Sequence, residues 1–260
     1  MSDKSLKIVS LNIQHGWNTG LSHPLPISRR QILANLEKIG LLLKPHTPDI
    51  VLLQEVERMS PLTRNIDQLG YIAEMLGCEH IAHAASSQFR FGKKIMYAAG
   101  CGIISRYPIL ETEGIKFEPS FPTPRKGFLV ATLVLSQGAK LTVVSTHLEP
   151  LDLLNARAKR GQIDAMIKAL ENKGPIVLGG DFNSAAHGRG HTYIQTLASK
   201  LNLVTHEDTA HNPGLYTYPS RKPRKRIDWI FASRDLKMSE YRILDGHVSD
   251  HLAIGTTVSF

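Results

Sequence analysis

What most constrains this chain is a set of polar residues placed at the ends of short apolar runs. Asn12 closes KIVSLN, Glu55 follows IVLLQ, His147 follows VVST, Asp181 follows IVLGG, Asp228 lies inside RIDWIF, and Asp250 and His251 open the last run. Runs of this length rich in Val, Ile and Leu read as buried strands. A carboxylate inside or closing such a run is costly unless it is paired or bound to a metal. Side chains at strand ends project into the mouth of a sheet, where separate strands can converge on one pocket. The chain must therefore build a sheet whose end gathers these groups.

Strands are expected over residues 7–13, 50–54, 102–105, 128–135, 141–146, 176–178 and 227–232. A helix is expected over 29–44, opened by a capping box of Ser28 and Gln31 and striped by Ile32, Leu36, Ile39 and Leu43. Pro45 and Pro48 end it. Further helices are expected over 155–170 and, weakened by Gly70, over 66–76. The segments 86–94, 118–125 and 212–226 read as long loops, which tend to carry binding function. Pattern alone gives an α/β chain with a parallel sheet. At 260 residues without repeat, low-complexity tract or linker, one domain over 1–260 is expected.

Apolar residues make up 42% of the chain and charged residues 21%, a globular rather than disordered balance. No apolar run approaches the roughly 18–20 residues that span a bilayer, so no stable membrane insertion is expected. The opening MSDKSLKIVSLNIQHG passes straight into a strand pattern with no long apolar stretch, which gives a cytoplasmic expectation. Cys78 and Cys101 read as buried reduced thiols. The net charge of +8 suits a polyanionic partner without naming one.

Taken singly, Glu55 reads as a loop residue and His147 as a structural histidine. Taken together, Glu55, Asp181, Asn183, Asp228 and Asp250 supply hard oxygen ligands of the type magnesium takes. Zinc fits poorly, with no HExxH and no paired-cysteine spacing. DFNSAAHG fails as an EF-hand because its fifth and sixth positions are Ala185 and Ala186. Beside a cation and a phosphate, His147 and His251 could donate to phosphate oxygens or orient water. Asp228 is the candidate partner that would orient His251. Gly179 and Gly180 allow the close backbone approach that brings Asp181 and Asn183 to a cleft floor.

The ordered set LNIQHG, LLQE, GIISRYPI, STHL, GGDFN, RIDWIF and SDHLAI resembles the endonuclease/exonuclease/phosphatase superfamily, the DNase I-like enzymes, over residues 7 to about 256. The resemblance implies a four-layer αββα sandwich of two packed mixed sheets, in place of one parallel sheet. It also implies a monomeric, magnesium-dependent phosphoester hydrolase in which manganese can substitute. Asn12, Glu55 and Asp250 would then lie on the metal side, with Glu55 the principal ligand. Asp181 and Asn183 would lie beside the attacking water and phosphate, Asp228 would orient His251, and either Asp181 or His251 would be the general base. His147 matches the DNase I-like and sphingomyelinase-like branches, which tilts the reading away from a dedicated abasic-site enzyme. The family's phosphate-touching tyrosine aligns on Ala98, so the neighbouring Tyr97 serves either phosphate or packing.

Arg221, Lys222, Arg224, Lys225 and Arg226 put five cations directly before Asp228. They suit a nucleic-acid backbone, or an inositol or lipid phosphate, and Arg90, Lys93, Lys94, Arg125 and Lys126 could join the same rim. The substrate expected is nucleic acid. The alternatives are a sphingomyelinase-like or phosphatase-like hydrolase and an inactive nucleic-acid-binding protein.

Overall fold

The computed structural model describes residues 5–17, 27–58, 60–92, 94–120, 123–150, 156–185, 188–206 and 212–260. In chain order the elements are β1 (Ser5–Asn12), α1 (Arg29–Leu43), β2 (Ile50–Glu57), α2 (Gln68–Leu76), β3 (His80–Phe91), β4 (Lys94–Ser105), β5 (Ile109–Lys116), β6 (Gly127–Val134), β7 (Lys140–His147), α3 (Ala156–Leu170), β8 (Ile176–Asp181), α4 (Gly188–Lys200), β9 (Leu203–Val204), β10 (Asp228–Ser233), β11 (Lys237–Leu244) and β12 (Ala253–Ser259). A 3-10 turn, Gln14–Gly16, follows β1.

The strands form two six-stranded sheets, ordered β11-β12-β1-β2-β4-β3 and β5-β6-β7-β8-β10-β9. The β1–β2 and β7–β8 pairs are parallel, while β4, β6, β10 and β12 run against their neighbours. Both sheets are thus mixed, which corrects the parallel sheet suggested by the apolar pattern. Burial on both faces makes a central mixed sheet read like a parallel one.

Ile8, Leu52 and Ile103 of the first sheet pack between the layers against Leu133, Val143, Val177 and Ile230 of the second. On the outer face of the first sheet, Ile32, Leu36 and Ile39 of α1 and Leu69 and Ile72 of α2 cover Val9, Leu11, Val51 and Leu53. On the outer face of the second, Ile163 and Met166 of α3 and Ile194 and Leu197 of α4 cover Val144, Leu178 and Phe231. The architecture is an αββα sandwich. Each of these fully buried aliphatic side chains contributes roughly 1.5–3 kcal/mol.

Local signals act as their chemistry dictates. The Ser28–Gln31 capping box opens α1. Asp67 caps α2 by accepting from the Gly70 N–H at 3.0 Å, so that helix starts two residues later than expected. The helix expected over 155–170 is described from Ala156, residue 155 lying outside the described residues. The expected loop 86–94 is instead mostly strand, a β3–β4 hairpin. Cys78 and Cys101 are free and buried. Among the described residues no helix is long and apolar enough to cross a membrane.

Candidate active site

Strand register assembles the site. Asp181 at the end of β8 lies opposite His147 of β7 on one side and Asp228 of β10 on the other. Directly opposed residues share a face, so these three side chains converge. Gly127 pairs with His147, which puts Lys126 at the same end. In the other sheet, Asn12 pairs with Gln54, next to Glu55, and the Asp250–His251 segment enters β12 beside the end of β1. The two sheets meet through the Asn12 amide, which donates to Asp181 Oδ2 at 3.0 Å. Within its own sheet, Gly180 lets β8 lie close against β7. Its φ is +149°, and an added Cβ would overlap the Thr146 carbonyl oxygen.

Asp181, Asp228 and His251 are almost fully buried. The His251 Nδ1–H donates to Asp228 Oδ2 at 2.9 Å, and its Nε2 faces Asp181 Oδ2 at 3.6 Å. Burial opposes charge on His251, but the carboxylates of Asp228 and Asp181 outweigh it and hold the imidazolium to a pKa of about 10. Asp181 shifts upward as well, to about 6. Burial raises it most, the His251 cation pulls it down, and the Asp228 charge adds to the rise. The Asn183 N–H donates to its Oδ1 at 2.8 Å.

His147 is in the opposite state. Burial first, and the Lys126 ammonium second, hold its pKa well below the ordinary value. Lys126 Nζ donates to His147 Nδ1 at 3.4 Å, and His147 Nε2 faces Asp181 Oδ2 at 3.3 Å. The same Nζ lies 3.4 Å from Glu55 Oε1. Burial would raise the Glu55 pKa, yet Lys126 first and His15 second depress it well below the carboxylate range. The two histidines, equivalent in sequence, therefore divide into a neutral His147 and a charged His251.

Four residues here have positive φ without being glycine: Gln14, His15, Glu55 and Asn183. Glu55 sits in a β-bulge, where the β2–β4 register shifts between Leu53 and Val56. Backbone strain of this kind clusters at functional sites. His15 and Glu57 belong to the same cluster, and sequence reading missed both. The His15 Nδ1–H donates to the buried Glu57 Oε1 at 2.8 Å, and its Nε2 lies 3.3 Å from Glu55 Oε2. The available signal was the close spacing of Asn12 to His15 and of Glu55 to Glu57. Tyr218, also missed, lies against His251 with ring centroids 4.9 Å apart and the planes tilted by 48°.

Asn183 Nδ2 donates to the Leu148 carbonyl at 3.0 Å and lies 3.2 Å from His147 Nε2, within the site. Asp250 accepts from Ser249 Oγ at 3.2 Å, and burial, with the Glu55 charge adding, raises its pKa. Tyr97 is half-buried with its ring 5.6 Å from His15, at the Glu55 side of the cleft, and desolvation raises its pKa. Arg221, Lys222, Arg224 and Lys225 are exposed on a turn closed by the Tyr218–Lys225 bridge. Its base is tied to the site: the Ser220 N–H donates to the Asp250 carbonyl at 2.7 Å, and Ser220 Oγ to the Ser249 carbonyl at 2.6 Å.

Arg226 departs from the expected substrate rim. It is 4% exposed, with its guanidinium 3.9 Å from the Trp229 ring centroid, so cation–π packing takes it into the interior. Of the other cations, Arg90 is exposed, while residue 93 and the Lys94 side chain lie outside the described residues.

The donor chemistry fits a divalent cation. Asp181, Asp228 and His251 place one donor atom each within 4.8 Å of one another, and Asp228 Oδ1 is buried without a hydrogen-bond partner among the described residues. His251 could join such a set only after giving up its proton. Glu55 is an anionic oxygen donor set apart from this cluster, and Asp250 lies near enough to feel its charge. Asn12 has both polar atoms engaged, its Oδ1 accepting from the Gln14 N–H at 3.0 Å. As it stands it links the sheets.

Two packed mixed sheets thus gather acidic and imidazole groups at one end. The chain belongs to the Endonuclease/Exonuclease/phosphatase family, whose model matches residues 9–251. It is similar to an endonuclease/exonuclease/phosphatase from Beutenbergia cavernae, with a TM-score of 0.76 at 19% identity over 99% of this chain and 72% of that one. A family protein from Leptotrichia buccalis superposes with a TM-score of 0.72 at 19% identity, over 98% of this chain and all (100%) of the other. The human Nocturnin catalytic domain, solved with a bound sulfate anion, gives a TM-score of 0.73 at 18% identity over 100% and 95% of the two chains. No curated protein matches the chain significantly in sequence.

Proposed function

We propose that the chain is a divalent-metal-dependent phosphoric ester hydrolase, a phosphodiesterase that cleaves nucleic acid by in-line attack of water. One observation carries this reading: in a single buried cleft, Asp181 Oδ2 faces His147 Nε2 at 3.3 Å and His251 Nε2 at 3.6 Å, with burial raising the Asp181 carboxyl and Asp228 behind His251 favouring its imidazolium. A carboxylate poised near neutrality is suited to accept a proton from water. With Asp228 behind it His251 favours the imidazolium, which cannot serve as base, so Asp181 is assigned that role and His251 that of donor to the phosphate oxygens as charge builds. Asp228 keeps the His251 ring aligned, and neutral His147 with Asn183 presents further polar contacts. Glu55 and Asp250, with Asn12 alongside, are assigned to magnesium, for which manganese can substitute. Such a cation, when bound, neutralises charge on a phosphate oxygen.

Nucleic acid is favoured as substrate by Arg221, Lys222, Arg224 and Lys225, whose turn is hydrogen-bonded to the Ser249–Asp250 backbone. A bound sulfate in the similar Nocturnin domain agrees with a tetrahedral oxyanion as ligand. If all four cations meet phosphates, replacing them with alanine reduces the salt slope of binding by about 3–4. A flat salt profile, with a small phosphodiester cleaved equally well by the alanine variant, contradicts the nucleic-acid assignment. It points instead to a lipid or soluble phosphate ester. The deciding experiment measures hydrolysis of plasmid, single-stranded DNA, RNA, abasic-site duplex, sphingomyelin and inositol phosphates, with magnesium and with EDTA. The Glu55→Ala protein reports contaminating activity. No magnesium-dependent hydrolysis of any of them refutes the proposal.

A further inference from the structure

We infer that His15, clamped by Glu57, is the positioning residue that fixes the Glu55 carboxylate; this rests on the proposed role of Glu55 in holding the cation. Glu55 needs such a clamp because its φ of +55° in the bulge takes its side chain off the direction set by the strand pleat. Among the described residues three basic groups lie against its carboxylate: Lys126 at 3.4 Å and His147 at 3.8 Å from Oε1, and His15, the nearest, at 3.3 Å from Oε2. Lys126 ends a long, rotatable stem and fixes little.

His15 is held on several sides. Its Nδ1–H donates to Glu57 Oε1 at 2.8 Å, and Glu57 Oε2 accepts from Thr63 Oγ1 at 3.0 Å. A carboxylate only accepts, so both ring nitrogens must present an N–H, Nδ1 to Glu57 and Nε2 to Glu55. Gln68 locks the two backbones together: its Oε1 accepts from the Glu57 N–H at 3.0 Å, and its Nε2 donates to the His15 carbonyl at 2.7 Å. Trp17 lies against the imidazole, ring centroids 4.5 Å apart, with Tyr97 at 5.6 Å. Glu57, Thr63 and Gln68 are all fully buried. A buried carboxylate and a left-handed His15 are costly for packing alone. A chain from buried carboxylate to imidazole to an exposed-side carboxylate is how proteins orient a cation ligand from behind.

The test is Mg2+ binding by titration calorimetry to the intact protein and to His15→Ala, Glu57→Gln, the double variant and Glu55→Gln, each checked by circular dichroism. His15→Ala and Glu57→Gln are expected to weaken Mg2+ binding about 10–100-fold, with the double variant no weaker than either alone. Activity of His15→Ala is expected to recover at saturating Mg2+, since only the occupancy of the site is lost. Merely structural damage lowers turnover at every Mg2+ concentration, and that result overturns the inference. So does additive weakening in the double variant. If His15→Ala binds within about twofold of the parent while Glu55→Gln loses binding, the clamp is refuted and the Glu55 assignment stands. If Glu55→Gln binds like the parent, the Glu55 assignment itself fails. Should Glu57→Gln not fold, His15→Ala and His15→Gln decide the question.

Discussion

Replacing Asp228 with asparagine removes a charge and little else. The amide oxygen can still accept the His251 Nδ1–H that now donates to Asp228 Oδ2 at 2.9 Å, so the ring keeps its orientation. What disappears is the first of the carboxylates that hold the buried imidazolium to a pKa of about 10. A buried charge-assisted hydrogen bond is worth about 1.5–3 kcal/mol, which corresponds to a fall of about 1–2 pKa units. If that cation faces the phosphate as charge builds, turnover falls by the same energy, about 10–150-fold. The sign of the pH effect follows. Activity that needs the imidazolium is present below its pKa and lost above it, so the alkaline limb of the variant lies below that of the parent. The same ion pair stabilises the parent fold fully below about 6.5 and is lost as pH rises through the folded value. Nuclear magnetic resonance of ring-labelled His251 in EDTA reads the pKa directly, and a pH–rate profile reads its consequence. An unmoved His251 titration, or turnover within about threefold of the parent, refutes the assigned pairing.

Two further expectations concern the scaffold. Gly180→Ala forces a Cβ onto the Thr146 carbonyl at a φ of +149°; it should cost about 3 kcal/mol, or about 6–12 °C in Tm by thermal unfolding. An unchanged Tm contradicts the close approach described for β8. Asp67→Ala removes the α2 cap and the Arg58 ion pair and should cost about 1–2 kcal/mol near neutral pH, as read by urea unfolding. Burial raises the Asp67 pKa, but Arg58 and the Gly70 N–H outweigh it and depress the carboxyl. The stabilisation is therefore present above the ordinary carboxylate value and is lost as pH falls through the depressed one, so the two proteins should converge in stability in acid.

The parts of the fold legible in sequence are those whose physics is local. The Ser28–Gln31 box and the Val- and Ile-rich central strands announce themselves because one residue type does one job there. β5 and β11 escaped because edge strands carry mixed polar sequences: ILETEGIK is almost wholly exposed. β3, with its Ala, Ser and His, reads as a loop until paired with β4. In the site, Glu55, His147, Asp181, Asp228 and His251 stood out as polar groups interrupting apolar runs. His15, Glu57 and Tyr218 did not, because their meaning lies in contacts between distant segments. Lys126 was visible only as one more cation of a rim, and its place between Glu55 and His147 comes from the β6–β7 register. Arg226 misled for the converse reason: charge suggested the surface, whereas Trp229 offered it a ring to pack on.

If Asp181 is the base in a metal-dependent phosphoester cleavage at the junction of the two sheets, removing its charge stops the chemical step. Single-turnover hydrolysis by Asp181→Asn at saturating magnesium, on whichever substrate the parent cleaves, tests it most directly. The account predicts a loss of about 10²–10⁴-fold with substrate binding retained. Turnover within about tenfold of the parent contradicts it.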